Sequence, residues 1–351
     1  MRIVYGVSGE GLGHVFEARE IVSRLTRDGH EVKVLTYGSR ALASLAEFKP
    51  TAIEGIHLHF GRRGMSLGQT VVRNLGCIPF FLRNWGRLRR EILEFGPDVF
   101  LTAYEPFSMV ASHVLGRPLI SMDNQNELLH IDPPVGTNLL SFLLARAATL
   151  ACTQGAAFYI VKSFAKPERD TERVRFVSPI IQQEIRRLAP SRGDHIFAYL
   201  TKPNPELEAV MRSMDERFIV YCNNRVEELG NISYRAQGGA YLSDLAGCKA
   251  IIATTGFSLI ADSIFLRKPY FGVPLKGQFE QTHNARFLAQ SGLGVYAEDP
   301  TKEEIERFLA RLPVYEARLA RHRIDPAEQE ETLLGLLAEL ARGGAVDAST
   351  V

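Results

Sequence analysis

Twice along the chain, short apolar runs alternate with helix-length amphipathic stretches, and such an alternation closes into a parallel sheet with helices on its faces. Ile3 to Val7, Glu31 to Thr36, Thr51 to Phe60, Asp98 to Thr102 and Pro118 to Met122 read as strands of a first set. Val15 to Arg27 reads as a helix with Phe16, Ile21, Val22 and Leu25 inward, ended by Gly29. The strand pattern stops around Val174 to Pro179. Ile180 to Leu188 then reads as a helix, and the Pro- and Gly-bearing stretch Ala189 to Asp194 suits a linker. The alternation restarts with His195 to Leu200, Phe218 to Tyr221, Lys249 to Thr254 and Pro269 to Val273, separated by helices such as Pro205 to Met214 and Ser258 to Leu266. The expected fold class is α/β, with one Rossmann-like doubly wound domain at 1–190 and a second at 191–342. That second domain takes in the charged helical stretches Lys302 to Leu312 and Pro326 to Arg342, and 343–351 reads as a flexible tail. Two such domains are expected to bind their ligand in a cleft between the carboxyl ends of their sheets.

Composition narrows the function classes. With 46% apolar and 23% charged residues over 351 positions, the chain can bury a sizeable core and is not of a disordered type. Forty-one Lys and Arg against 40 Asp and Glu leave +1, so no whole-chain excess of charge points to nucleic acid. Cys77, Cys152, Cys222 and Cys248 stand far apart, which implies buried reduced thiols rather than a disulfide framework or structural zinc. The first residues are too short an apolar run for an export signal. Leu139 to Cys152 carries Arg146 and falls short of the roughly 20 apolar residues a membrane span needs, so it reads as a buried helix and strand. A cytoplasmic protein is expected, touching a membrane at most from the side.

The loops after strands carry the chemistry. The first strand runs into Ser8-Gly-Glu-Gly11-Leu-Gly13-His14, whose glycines allow close backbone approach to a ligand at the start of a helix. The spacing is G-x-G-x-G rather than G-x-G-x-x-G, and the second strand ends in Thr36-Tyr37-Gly38 without a ribose-binding acid, so a nicotinamide cofactor is disfavoured. No P-loop motif occurs either. His14 at the loop–helix junction is either a general base for a hydroxyl or a helix N-terminal histidine bonded to a neighbouring loop. In the second half, Ile251 to Ala253 turns through Thr254, Thr255, Gly256 and Phe257 into a helix near Ser258. The N–H groups at that helix start and the hydroxyls of Thr255 and Ser258 suit a diphosphate; the plain alternative is a capped helix. Asp262, one turn beyond Ser258, is placed to accept ribose hydroxyls. Glu280 and Gln281, at the start of a later helix, either bond sugar hydroxyls or serve only as first-turn residues. His57, His59 and His283 read as structural or surface groups.

Taken in order, Ser8-Gly-Glu-Gly-Leu-Gly-His14, Thr255-Gly-Phe-Ser-Leu-Ile-Ala-Asp262 and Gly272-Val-Pro-(x5)-Glu280-Gln281-(x2)-Asn284-Ala285 resemble the inverting nucleotide-sugar glycosyltransferases of GT-B fold. The likeness spans both halves and is nearest to the branch containing bacterial N-acetylglucosaminyltransferases of cell-wall synthesis and UDP-glycosyltransferases. Tyr104-Glu105-Pro106 and Ile120-Ser-Met-Asp123-Asn124-Gln125 share it.

The resemblance implies that the glycine loop, with Gly11 and Gly13, faces acceptor and donor diphosphate, and that His14 is the catalytic base. It implies a phosphate-binding helix start at Gly256, Phe257 and Ser258 with Thr255 before it. Asp262 stands where a Glu commonly holds the ribose, and Glu280 and Gln281 where an Asp-Gln pair holds the donor sugar. Glu105 is the nearest candidate to orient His14, since Ala103 occupies the position where an Asp is common. The implied reaction moves a sugar from a UDP- or dTDP-type donor to an acceptor hydroxyl with inversion. It uses no cofactor and no metal, because no Asp-x-Asp triplet is present and the helix start would stabilise the leaving group. A nucleotide-sugar 2-epimerase and a non-catalytic sugar-nucleotide-binding protein are the rivals.

One local feature bears on the acceptor. From Arg62 to Arg90 the chain carries seven Arg and no Lys, Asp or Glu, interleaved with Ile78, Phe80, Phe81, Leu82 and Trp85. Residues 62–90 therefore suit either an anionic membrane or lipid-linked acceptor, or an amphipathic helix packed on the first domain.

Overall fold

The computed structural model describes residues 1–9, 13–55, 60–61, 64–65, 85–130, 139–164 and 171–343. They form two compact units, Met1–Ile180 with Asp325–Val351, and Ile181–Ile324.

Unit 1 begins with β1 (Arg2–Val7), α1 (Gly13–Arg27), β2 (Glu31–Thr36), α2 (Ser39–Ser44) and β3 (Thr51–Ala52). The short hairpin β4 (Phe60–Gly61) and β5 (Gly64–Met65), a helix α3 over 85–95, β6 (Val99–Ala103) and α4 (Pro106–Val114) follow. Next come β7 (Leu119–Asp123), a 3₁₀ turn at Gln125–Leu129, α5 (Leu139–Thr153), β8 (Phe158–Lys162) and β9 (Val174–Val177). The sheet order is β3-β2-β1-β6-β7-β8-β9, with every neighbouring pair parallel. Because a parallel strand is covered on both faces, its sequence is a near-continuous apolar run, as in Ile3 to Val7, where every side chain is fully buried. One face carries α1, whose Ala18, Ile21, Val22 and Leu25 pack on Tyr5, Leu101 and Ile160; the other carries α3 and α4 through Leu88, Ile92, Phe107 and Ala111.

Unit 2 contains α6 (Gln183–Arg186), β10 (His195–Tyr199), α7 (Pro205–Arg212), β11 (Arg217–Tyr221), β12 (Glu227–Leu229), β13 (Ile232–Tyr234) and α8 (Gly239–Gly247). It continues with β14 (Ala250–Ala253), α9 (Phe257–Phe265), β15 (Tyr270–Gly272), α10 (Phe279–Gln290), β16 (Gly294–Tyr296), α11 (Lys302–Leu309) and α12 (Leu312–Leu319). Its sheet runs β12-β13-β11-β10-β14-β15-β16, parallel except for the β12–β13 edge. On one face α7, α11 and α12 close a core around Ala198, Val220 and Phe308. The other face is aromatic, with Phe197, Tyr221 and Tyr241 in mutual contact at ring separations of 4.9 to 5.3 Å.

Three expectations change. The final helix, α13 (Glu328–Gly343), joins unit 1 rather than the second domain, because Leu333, Leu336 and Leu337 pack into the core beside α1. The units divide at Ile181, before the Ala189 to Asp194 stretch, whose Ser191 and Gly193 hydrogen-bond to Ala246 and Gly247 within unit 2. Leu139 to Cys152 forms one helix with no strand, and its outer side is exposed. Cys152, Cys222 and Cys248 are buried thiols. His57, His59, Cys77 and Gly11 lie outside the described residues, as do residues 62–63 and 66–84 of the arginine-rich run.

Candidate active site

At the carboxyl end of the unit 1 sheet, β1 leads through Ser8 and Gly9 towards Gly13, the first residue of α1. Gly9 is required there: a Cβ would lie 1.8 Å from the main-chain oxygen of Tyr37, which also shares a 2.9 Å hydrogen bond between its hydroxyl and that of Ser8. His14 follows with one edge partly exposed while its Nδ1 is enclosed without a hydrogen-bond partner. Its ring lies parallel to that of Tyr104, at 8° and 6.3 Å. Tyr104 takes a left-handed φ of 57° just after β6, a strained backbone for a side chain of that size. Burial, with the charge of Lys162 in support, pushes the imidazole down to about 3, so the ring is neutral throughout the physiological range.

Glu105 does not meet His14. It is the N-cap of α4, with Pro106 next, and its carboxylate accepts from the N–H of Phe107 at 2.5 Å, the N–H of Ser108 at 2.8 Å and the Ser108 hydroxyl at 2.8 Å. The expectation that Glu105 orients the base is therefore corrected. The oxygens answer the unpaired donors of the helix start, although full burial still raises the carboxyl to about 7.

Two groups missed in the sequence complete this end of the sheet. Lys162, at the end of β8, makes a buried ion pair with Glu17, three residues beyond His14 on α1. Asp123, at the end of β7, is fully buried, accepts from the N–H of Asn126 at 2.7 Å, and is pushed by burial up to about 6 against the pull of Lys162. A polar residue at the last position of an otherwise apolar strand was the available signal for both.

In unit 2, β14 turns through Thr254 and Thr255 into α9, whose N-cap is Gly256; no side chain caps this helix. Phe257 is half-buried and Ser258 is exposed in its first turn. Neither Thr255 nor Ser258 caps the helix with its side chain. Thr255 is fully buried and donates its hydroxyl hydrogen to the main-chain carbonyl of Gln281 at 2.7 Å, while Asn284 donates to the carbonyl of Thr255 at 3.0 Å. The hydroxyl expected to face a diphosphate instead ties the β14 loop to α10. Gln281 is also buried, its side-chain oxygen accepting from the N–H of Leu275 at 2.9 Å, whereas Glu280 is half-buried in the first turn of α10. Asp262 is 9% exposed, its carboxyl makes no hydrogen bond or ion pair among the described residues, and burial raises it to about 7. An uncapped helix start and a carboxyl without a protein partner on the following turn together suit a ligand carrying an anion and hydroxyl groups. Among the described residues no cluster of three or more His, Cys, Asp or Glu could hold a metal ion, and no helix is long and apolar enough to cross a membrane.

No curated protein matches the chain by sequence. Among solved structures, the calicheamicin glycosyltransferase CalG4 superposes with a TM-score of 0.67 at 16% identity, over 98% of this chain and 100% of that one. The spinosyn rhamnosyltransferase SpnG complexed with thymidine diphosphate gives 0.62 at 15%, over 96% and 100%. The glycosyltransferase SnogD from Streptomyces nogalater gives 0.56 at 16%, over 96% and 99%. These likenesses establish the two-unit GT-B fold. The model of glycosyl transferase family 1 matches residues 1–313, nearly the full length, and the chain accordingly belongs to that family of glycosyltransferases.

Proposed function

We propose that the chain transfers a sugar from a UDP- or dTDP-type donor to an acceptor hydroxyl with inversion at the anomeric carbon and without a metal ion. The observation that carries this reading is Asp262, a carboxyl nine-tenths buried and unpartnered one turn beyond Ser258 in the uncapped helix α9. Ribose hydroxyls would satisfy it, and the helix start would hold the diphosphate. Neutral His14 takes the acceptor proton; the acceptor oxygen bonds to the anomeric carbon as the bond to the diphosphate oxygen breaks, and the departing charge is met by the N-terminal dipole of α9. Glu280 and the amide N–H₂ of Gln281 bond the donor sugar. The thymidine diphosphate bound to SpnG makes dTDP the first nucleotide to test.

Calorimetric titration of UDP, dTDP and GDP against wild type and Asp262→Ala tests the donor site. The substitution is expected to weaken the preferred nucleotide by about 1–3 kcal/mol, roughly five- to a hundred-and-fiftyfold. Equal affinities would place the ribose elsewhere. His14→Ala is expected to bind nucleotide normally and to lose transfer; unchanged turnover removes His14 from the mechanism.

A further inference from the structure

Among the described residues other than glycine, Lys49, Tyr104, Asn223, Asn224 and Arg267 take a left-handed φ. Lys49 and Arg267 stand at helix ends, and asparagine tolerates the conformation, so Tyr104 is the exception. Its neighbours impose it. The Thr102 hydroxyl donates to the carbonyl of Glu105 at 2.8 Å and accepts from the N–H of Glu105 at 3.0 Å, which closes a loop over residues 103 and 104. The carbonyl of Ala103 accepts from the N–H of Ser8 at 3.0 Å, and the carboxylate of Glu105 is fixed by the start of α4. Gly6 leaves space for that carboxylate, since a Cβ there would lie 2.3 Å from its oxygen. Such a turn costs about 1–3 kcal/mol with a tyrosine in it. What it fixes is the direction of the ring.

That direction matters because of His14. The two rings are parallel within 8° at 6.3 Å, and both side chains are partly exposed. Nδ1 of His14 is enclosed, which leaves Nε2 as the nitrogen able to meet a ligand, and its lone pair lies in the imidazole plane. A flat ring stacked on Tyr104 is therefore parallel to the imidazole as well. A phenolic O–H lies in the plane of its own ring, so it can point along that lone pair; a puckered ring or an alkyl arm carries its hydroxyl out of plane. Basicity agrees with geometry. An imidazole held down to about 3 is a weak base, better matched to a phenol, near 10 as in tyrosine, than to the far less acidic aliphatic alcohols.

We propose that Tyr104 is an acceptor-binding residue that stacks a flat aromatic ring beside His14, and that the acceptor group is a phenolic hydroxyl on that ring. The inference rests on the sugar-transfer reading: the phenol proton passes to Nε2 of His14, the phenol oxygen bonds to the anomeric carbon, and the bond from that carbon to the diphosphate oxygen breaks, its electron pair leaving with the diphosphate.

Three probes separate shape from chemistry: 2-naphthol, flat and phenolic; 2-naphthalenemethanol, flat with an out-of-plane alcohol; and trans-decahydro-2-naphthol, puckered and aliphatic. Each is titrated calorimetrically against the full chain without donor, and UDP and dTDP are titrated against the same samples. Wild type is expected to bind 2-naphthol about tenfold tighter than the decahydro compound. Tyr104→Phe should keep that preference and Tyr104→Gly should lose it, with nucleotide affinity unchanged in both. Glycine relieves the left-handed turn, so Tyr104→Gly should melt at or above the wild-type temperature. The advantage of 2-naphthol over 2-naphthalenemethanol, about fivefold for one hydrogen bond, should vanish in His14→Ala. Wild type that binds 2-naphthol and its decahydro counterpart equally overturns the proposal, as does a Tyr104→Gly variant that melts lower yet keeps the preference, the mark of a merely structural ring. Either result with nucleotide still bound leaves the donor site standing; failure of both nucleotides to bind counts against the transfer reading, and the naphthol preference still decides the aromatic site at Tyr104.

Discussion

Lys162 and Glu17 form an ion pair almost wholly withdrawn from solvent, with side-chain exposures of 4 and 8%, beneath the turn of α1 that begins at His14. The other oxygen of Glu17 accepts from the amide of Gln329 at 2.5 Å, which brings the returning C-terminal helix to the same point. Segments far apart in the chain thus fix the first turns of α1 and, through them, the position of the imidazole.

Breaking this pair on one side should be costly. Lys162→Met strands a buried carboxylate, and a loss of about 3–5 kcal/mol is expected in chemical denaturation. Replacing both residues, Glu17→Leu with Lys162→Met, removes the uncompensated charge and should recover most of that loss. A double variant as unstable as the single one would mean that packing, not charge, sets the cost.

Much of the architecture was legible because parallel strands write themselves as unbroken apolar runs: Ile3 to Val7 and Ala250 to Ala253 could hardly be anything else. The edge strand β12 and its neighbour β13, three residues each and carrying polar side chains, left no such mark. The place of Asp262 on α9, one turn beyond Ser258, was legible, since helix geometry is local. Glu105 was misjudged although Glu105-Pro106 carries a helix-start signature, acceptor then proline. The bond from Thr255 to the carbonyl of Gln281 was not legible, because the partner is 26 positions away, and Glu17 gave no hint of Lys162, 145 positions away. The amphipathic face of α13 could be read, but not the unit it would cover.

His14 should stay neutral far below the ordinary histidine range. Its folded value of about 3 lies under the ordinary 6.5, so between those values the imidazole is neutral in the native state and protonated in the unfolded chain. In NMR titration the resonances lost in His14→Gln should not move between pH 8 and 5. A midpoint near 6.5 would contradict the enclosure of Nδ1.

Asp262 gives the opposite pH signature. Its folded value of about 7 exceeds the ordinary 3.8, so the native state holds the extra proton between them and stability falls as pH rises through that window. Asp262→Asn should raise the melting temperature of the ligand-free protein at pH 8 and hardly change it at pH 4. The gain is of the order of 1–3 kcal/mol at the upper end. Nucleotide affinity that depends on the ionised carboxylate should weaken below about pH 7 in wild type, and this acid limb should be missing in the variant.

The link between the β14 loop and α10 can be separated from direct ligand binding at Thr255. Gly272 leaves room for it: a Cβ there would come 2.5 Å from Cγ2 of Thr255 and 3.3 Å from Cβ of Tyr296. Gly272→Ala should therefore push the Thr255 loop aside, cost about 1–3 kcal/mol of stability and weaken nucleotide binding with it. Thr255→Val keeps the shape but leaves the carbonyl of Gln281 without its donor, a loss of about 1–2 kcal/mol that Thr255→Ser should largely restore. Since the hydroxyl is already engaged, Thr255→Val should change nucleotide affinity less than Asp262→Ala does. A Thr255→Val variant with native stability and a hundredfold loss of nucleotide affinity would show that the hydroxyl leaves Gln281 to hold the diphosphate.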